Sequence, residues 1–320
     1  QYTLHRGILK LTAQLAPIEE ISNLVCRLDV RGPSGSWTTN DSAEVDPLAR
    51  TARFRAESWD GHRAVEYRVR VALPLRSGPA DFEYVGTIAA EPSVLDPVKA
   101  AVFSCNADHG FPDADVVQHV QAHQPDMALF LGDQFYESSG GFGIQTEPVD
   151  AAALDMLHKW YMFGWSYREL FRHVPSAFIP DDHDVYHGNV WGEAGKEAPT
   201  EEGWGAVAQD QGGYKMPPEW VNAVQLAQTS HLPDPYDPTP VKRGIGVYYT
   251  RWDYAGVSFA ILEDRKFKSS PANVLPDEAQ VLNGWIQNPD FDVRDHPNPP
   301  GSELLGERQM VFLEDWAEDW

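Results

Sequence analysis

From Tyr2 to about Gly86 apolar and polar residues alternate with period two, most cleanly in Val65-Glu-Tyr-Arg-Val-Arg-Val71 and again in Leu24-Val-Cys-Arg-Leu-Asp-Val30 and Ala52-Arg-Phe-Arg-Ala56. Successive side chains of a strand point to opposite faces, so this rhythm predicts short, half-buried antiparallel strands. Gly32-Pro-Ser-Gly35, Trp59-Asp-Gly61 and Arg76-Ser-Gly-Pro79 punctuate them at sandwich-like spacing. The expectation is an all-β domain over residues 1–90. Glu91-Pro-Ser-Val-Leu-Asp-Pro97 has two prolines and no period, and reads as a linker over 91–98.

Beyond Pro97 the rhythm changes to short apolar runs followed by helical patterns, the signature of an α/β domain, here taken as 99–320. Four runs end in residues capable of chemistry. Ala100-Ala-Val-Phe103 leads to Ser104-Cys105-Asn106, and Met127-Ala-Leu-Phe-Leu131 leads to Gly132-Asp133. Ala177-Phe-Ile179 leads to Pro180-Asp181-Asp182-His183, and Val257-Ser-Phe-Ala-Ile-Leu262 leads to Glu263-Asp264-Arg265. Ligands bind at the carboxyl ends of strands in open α/β sheets, so the four ends point to one shared site. Helical spacing predicts helices over Asp113–His123 and Asp150–His173. Residues 187–246, rich in Gly, Pro and Trp, read as an irregular substrate-side insertion between strands.

Composition narrows the chemistry. The 320 residues are 42% hydrophobic and 12% aromatic, enough for a sizeable core. Lys and Arg number 25 against 48 Asp and Glu, a net charge of −23. That charge repels a polyphosphate backbone, which argues against a nucleic-acid partner. An anionic substrate needs cations to reverse the local field. No apolar run reaches the roughly 18 residues of a membrane span. Cys26 and Cys105 cannot form a disulfide framework or a zinc ribbon. The chain opens on Gln1 without a signal-peptide pattern and stops at Trp320 within the helical pattern of Met310 and Leu313, so a fragment open at both ends is expected.

Cys105, Asp133 with Tyr136, and Asp182-His183-Asp184 are the strongest set. A two-metal hydrolytic site needs a bridging carboxylate, separate ligands for each ion and a group near the leaving oxygen. Taken singly, Gly-Asp after a strand is a turn; three such pieces in order carry more.

Ser104-Cys105, Gly132-Asp133-Gln-Phe-Tyr136-Glu137 and Asp181-Asp182-His183-Asp184 resemble the successive motifs of the PhoD-like (alkaline phosphatase D) metallophosphoesterases, within the calcineurin-like superfamily. Tyr167-Arg-Glu-Leu-Phe171, Leu262-Glu-Asp-Arg265 and Leu305-Gly-Glu-Arg-Gln309 agree more loosely. The resemblance implies an immunoglobulin- or fibronectin III-like sandwich followed by a four-layer α/β/β/α catalytic domain. It implies Cys105 and Tyr136 as ligands to a ferric ion, Asp133 as its bridge to calcium, Asp182 as a calcium ligand, and His183 as partner of the leaving oxygen. A metal-activated hydroxide would then hydrolyse a phosphate mono- or diester, and a bacterial periplasmic or extracellular location is implied. The superfamily's later histidine ligands have no match here, since only the loop residue His296 follows Glu263; they are expected beyond Trp320, leaving residues 1–320 with less than a full metal complement. Asn189, out of the family's register, is a candidate for metal or phosphate contact.

Other residues have plainer readings beside functional ones. Arg265 could clamp phosphate or pair with Asp264 or Glu263. His119 and His123 share a helix face without a third ligand. Asp108-His109 could add ligands or form a polar loop. Trp191, Trp204 and Trp220 could line a pocket or form the insertion's core, and Cys26 reads as a buried strand residue. Two other functions compete: a noncatalytic surface or binding protein with a degenerate catalytic domain, and another two-metal hydrolase acting on a sulfate ester or lactone.

Overall fold

A computed structural model describes residues 1–199 and 203–319; Trp320, part of the expected terminal helix, lies outside them. The fold mixes helices with several antiparallel sheets and one parallel sheet. The alternating N-terminal runs become β1 (Tyr2–His5), β2 (Ile8–Gln14), β3 (Val25–Arg31), β4 (Trp37–Glu44), β5 (Thr51–Ala56), β6 (Val65–Leu75) and β7 (Gly78–Ile88). They pair as antiparallel sheets of order β1-β2-β5 and β4-β3-β6-β7. Leu4, Leu9 and Leu11 from the first and Cys26, Leu28 and Tyr67 from the second enter one core. Cys26 is fully buried on β3. Residues 89–99 carry no helix or strand.

Three of the apolar runs become β8 (Ala100–Phe103), β9 (Met127–Phe130) and, after two helices, β10 (Ser176–Phe178), a parallel sheet of order β10-β9-β8. The helices are α1 (Ala114–Ala122) and α2 (Val149–Phe171), close to the spans that periodicity predicts. The central strand is buried on both faces, as a parallel strand covered on two sides must be. Ala128 and Phe130 enter the core that α2 builds with Met156, Trp160 and Phe163. Met127 packs instead into the core shared with the N-terminal sheets, and Leu129 lies against it. Phe103, Phe130 and Phe178 are in register across the three strands and stack at 4.6 and 4.7 Å between centroids. This aromatic ladder sets the strand ends level.

The N-terminal sheets are fastened to this body. Tyr2 Oη donates to the carbonyl of His173 at 3.0 Å, and Trp252 Nε1 donates to that of Leu4 at 2.8 Å. A Cβ at Gly86 would lie 2.3 Å from the Arg172 carbonyl oxygen, so only glycine allows this close approach.

Two expectations need correction. Residues 187–246 are not irregular throughout: they hold α3 (Ala206–Gln209) and α4 (Pro218–Thr229). Proline at the first position of α4 starts a helix there, because its missing N–H is one that needs no intrahelical partner. The fourth apolar run does not join the parallel sheet. After β11 (Thr250–Tyr254) it forms β12 (Val257–Ile261), the second strand of an antiparallel pair. Its Ala255-Gly256 turn, with positive φ at both residues, closes a tight hairpin and so fixes β11 as its neighbour. The chain then runs through α5 (Asp264–Phe267), α6 (Pro271–Val274), the small hairpin β13 (Val281–Leu282) and β14 (Trp285–Ile286), and α7 (Gly306–Glu318). Among the described residues no helix is long and apolar enough to cross a membrane.

Candidate metal centre

The loops that leave β8, β9 and β10 meet at the carboxyl end of the parallel sheet. Backbone bonds prolong the ladder beyond the strands: Cys105 N–H donates to the Gly132 carbonyl at 3.1 Å and Asn106 N–H to that of Asp133 at 2.8 Å. Cys105 and Asp133 both sit at positive φ, 57° and 50°, which costs energy for residues bearing a Cβ and turns both side chains sharply away from the strand direction. Gly132, at φ 102°, lets the third loop close in: a Cβ there would lie 2.4 Å from that of Asp181. Asp182 begins a helical turn, with φ −64° and ψ −48°, so Asp181 and Asp182 converge rather than alternate.

One carboxylate ties two of these loops together. Asp184, fully buried, accepts from the N–H of Gln134 at 3.1 Å, that of Asp181 at 2.8 Å and Gln228 Nε2 at 3.0 Å. Burial pushes its carboxyl up to about 8, against the pull of donors that favour the ionised form.

Asp133, Asp181 and Asp182 form a compact acidic group whose ligand atoms all lie within 4.8 Å of one another and which could hold a metal ion. Asp133 is 6% exposed, and its Oδ1 is buried without a hydrogen-bond partner. Burial and the neighbouring Asp181 charge raise its pKa. Burial and Asp182 push Asp181 up to about 6, although Arg265 pulls the other way. Three carboxylates with an orphaned oxygen suit a hard cation, which would supply both charge and ligation. Cys105, exposed, and Tyr136, half-buried, interact with Asp133 and with each other but stand outside the compact group. Burial and the Asp133 charge raise the Tyr136 hydroxyl above its ordinary range.

His183 lies beside this group, its ring 4.5 Å from that of Tyr136. Its Nδ1 is 2.7 Å from Glu137 Oε2. Burial opposes a charged imidazole, but the hydrogen bond and charge of Glu137, with Asp182 and Asp133, outweigh it and raise His183 to about 9. Arg265 pairs with neither sequence neighbour. Its Nε lies 2.5 Å from Asp181 Oδ1, and Nη2 lies 3.3 Å from Asp181 Oδ2 and 3.5 Å from Asp182 Oδ1. Glu263 turns inward to the N–H groups of Tyr248 and Tyr249 and to Lys266.

The remaining candidates fall outside the acidic group. Asn189 Nδ2 donates to Asn283 Oδ1 at 2.9 Å. His119 and His123 are exposed on and just after α1, and Asp108 accepts the Gly140 N–H at 2.8 Å beside an exposed His109. Trp220 is core, Trp191 half-buried and Trp204 exposed. His296 is exposed and stacks on Phe291. Sequence reasoning missed Asp181 as a cluster member and Glu137 as the partner of His183. Both belong to the quoted motifs, so their position was a signal; their orientation was not.

No protein-family model matches the chain, and neither does any curated protein sequence. Among solved structures, a Parabacteroides merdae beta-glucuronidase aligns at 10% identity with a TM-score of 0.21, over 55% of this chain and 27% of that one.

Proposed function

We propose that the chain hydrolyses phosphate mono- or diesters with metal ions, as the PhoD-like phosphatases that its motifs resemble do, with an immunoglobulin- or fibronectin III-like sandwich preceding a four-layer metallophosphoesterase domain. One observation carries the reading: three strand-end loops converge on Asp133, a nearly buried carboxylate with an unpartnered oxygen. Cys105, Asp133 and Tyr136 would hold a ferric ion, whose hardness suits phenolate oxygen. Asp133 and Asp182, joined by Asp181, would hold calcium, an oxygen-seeking ion. Such ions, when bound, supply positive charge for an anionic substrate and lower the pKa of water from about 15.7 toward about 7.

The chain's own groups do the rest. Glu137 accepts from His183 Nδ1 and so orients the ring, leaving Nε2 to donate its proton to a departing alkoxide or phenolate oxygen. The fixed loops place this donor before substrate arrives. Purified protein supplied with iron and calcium should hydrolyse an aryl phosphate, and Asp133→Asn should lower turnover at least about a thousandfold. Retained turnover in that variant, or hydrolysis of an aryl sulfate in preference to the phosphate, would overturn the reading.

A further inference from the structure

Arg265 stands in a position that a cation must contest. Three carboxylates within 4.8 Å repel one another, and the guanidinium is the counter-ion that reaches two of them. It forks onto both oxygens of Asp181 and extends to Asp182 Oδ1, but Asp133 Oδ1 gains nothing from it. A cation ligated by all three residues must therefore draw on lone pairs that Arg265 already uses, beside a fixed positive charge. Arg265 can yield them. It sits in the first turn of the four-residue α5, which Leu262 and Glu263 join to β12, and its side chain is about one quarter exposed, so the long arm can swing toward solvent while the carboxylates stay on their loops.

We propose that Arg265 is an exchangeable counter-ion: a divalent cation displaces it from Asp181 and Asp182, and the freed guanidinium then takes the anionic oxygens of a phosphoryl group. This inference rests on the acidic group being a metal site. Its consequence is linkage. An anion that holds Arg265 away from the carboxylates strengthens cation binding, and by thermodynamic reciprocity the cation strengthens anion binding by the same factor. The acidic chain thus opens an anion site only when the cation is in place. A planar fork suits the task, because it matches two carboxylate oxygens and two phosphoryl oxygens equally well.

The test uses Mn2+ as cation and inorganic phosphate as anion, with free Mn2+ read by electron paramagnetic resonance on the full chain. Without phosphate, Arg265→Gln should bind Mn2+ at least about tenfold more tightly than the unaltered protein, because a competing positive charge on Asp181 and Asp182 is gone. In the Mn2+-loaded state the same variant should bind phosphate at least about tenfold more weakly. Arg265→Lys, which keeps the charge without the fork, should fall between on both measures and covers the case in which Gln disturbs folding. Equal or weaker Mn2+ binding by Arg265→Gln overturns the exchange. Asp133→Asn separates the two levels: if it leaves Mn2+ affinity unchanged, the metal site itself fails, whereas a loss there combined with no gain in Arg265→Gln sinks only the exchange.

Discussion

Asp29 and the acidic group around Asp133 are balanced in opposite ways. Asp29, on β3 and 1% exposed, receives Arg68 Nε at 2.9 Å, Arg70 Nε at 2.6 Å and Thr39 Oγ1 at 2.8 Å. Burial alone would raise its carboxyl, but these donors outweigh it and hold Asp29 down to about 2. At the acidic group one guanidinium serves Asp181 and Asp182, Asp133 keeps an unpartnered oxygen, and burial and neighbouring negative charge raise both Asp133 and Asp181. The contrast is between a fully paired acid that serves the fold and an underpaired group that could hold a cation. Underpaired ionisable groups gather where function needs them, because the fold alone gives no reason to keep them.

The strongest way to break this contrast is to neutralise one acid from each group. Asp133→Asn should weaken Mn2+ binding at least about a hundredfold, since it removes a charged ligand from a small set. Its unfolding free energy, measured in chelator, should stay within about 0.5 kcal/mol of the parent or rise, because a repulsive charge is lost. Asp29→Asn should do the reverse. Leaving Arg68 and Arg70 without their carboxylate should cost about 2 kcal/mol in urea unfolding, the range for hydrogen bonds to charged groups, with Mn2+ affinity unchanged. If both variants lose the same property, the two groups do not differ as argued.

A smaller effect separates them by pH. The Asp29 carboxyl is lowered from 3.8 to about 2 in the fold, so its stabilisation is complete above pH 4 and lost as pH falls through 2. Asp181 is raised from 3.8 to about 6, so the folded chain takes up its proton first and gains stability as pH falls from about 7 toward 4. Unfolding in chelator should therefore carry an Asp181 contribution that rises on mild acidification and an Asp29 contribution that falls below pH 4, superposed on the opposing loss from buried histidines such as His187, lowered to about 4, so each is read as variant minus parent. Asp181→Asn should flatten the rise and leave the fall; Asp29→Asn should do the opposite. Asp184 is raised in the same sense, partly by the Asp181 charge, so Asp181→Asn removes a part of that contribution as well, whereas Asp29→Asn leaves it in place.

Much of this arrangement was legible in the sequence, and what was not has a physical cause. Apolar runs that end in polar residues placed β8, β9 and β10 and the loops bearing Cys105, Asp133 and Asp182; in β9 and β10 the run marks burial on both faces, whereas β8, at the sheet edge, keeps Val102 exposed. The same signal could not say that β12 pairs with β11 in an antiparallel hairpin, because hydrophobicity records burial and not the neighbour. Pro217-Pro218 within a glycine-rich stretch hid α4 by looking like a breaker when it was a start. At the site, adjacent Asp181 and Asp182 converge only because a helical turn begins at Asp182. Arg265 finds Asp181 across 84 positions while Glu263 turns inward. Pairings of that range follow from three-dimensional packing and leave no local pattern.

The smallest expected effect belongs to Asn189, a residue out of the family's register that the sequence makes a candidate for metal or phosphate contact and that the fold gives a bridging part. Its Nδ2 donates to Asn283 Oδ1 at 2.9 Å and to the Asn283 carbonyl at 3.3 Å, joining the loop after His187 to the turn between β13 and β14. The contact is exposed and neutral, so water replaces most of it when it is cut. Asn189→Ala should cost about 0.5–1 kcal/mol in urea unfolding and leave Mn2+ affinity within twofold of the parent, on the order of the error of such a comparison. A tenfold weaker affinity with unchanged stability would instead move Asn189 from the bridging role into the ligand set, and would redraw the boundary between paired groups and the underpaired site on which the contrast depends.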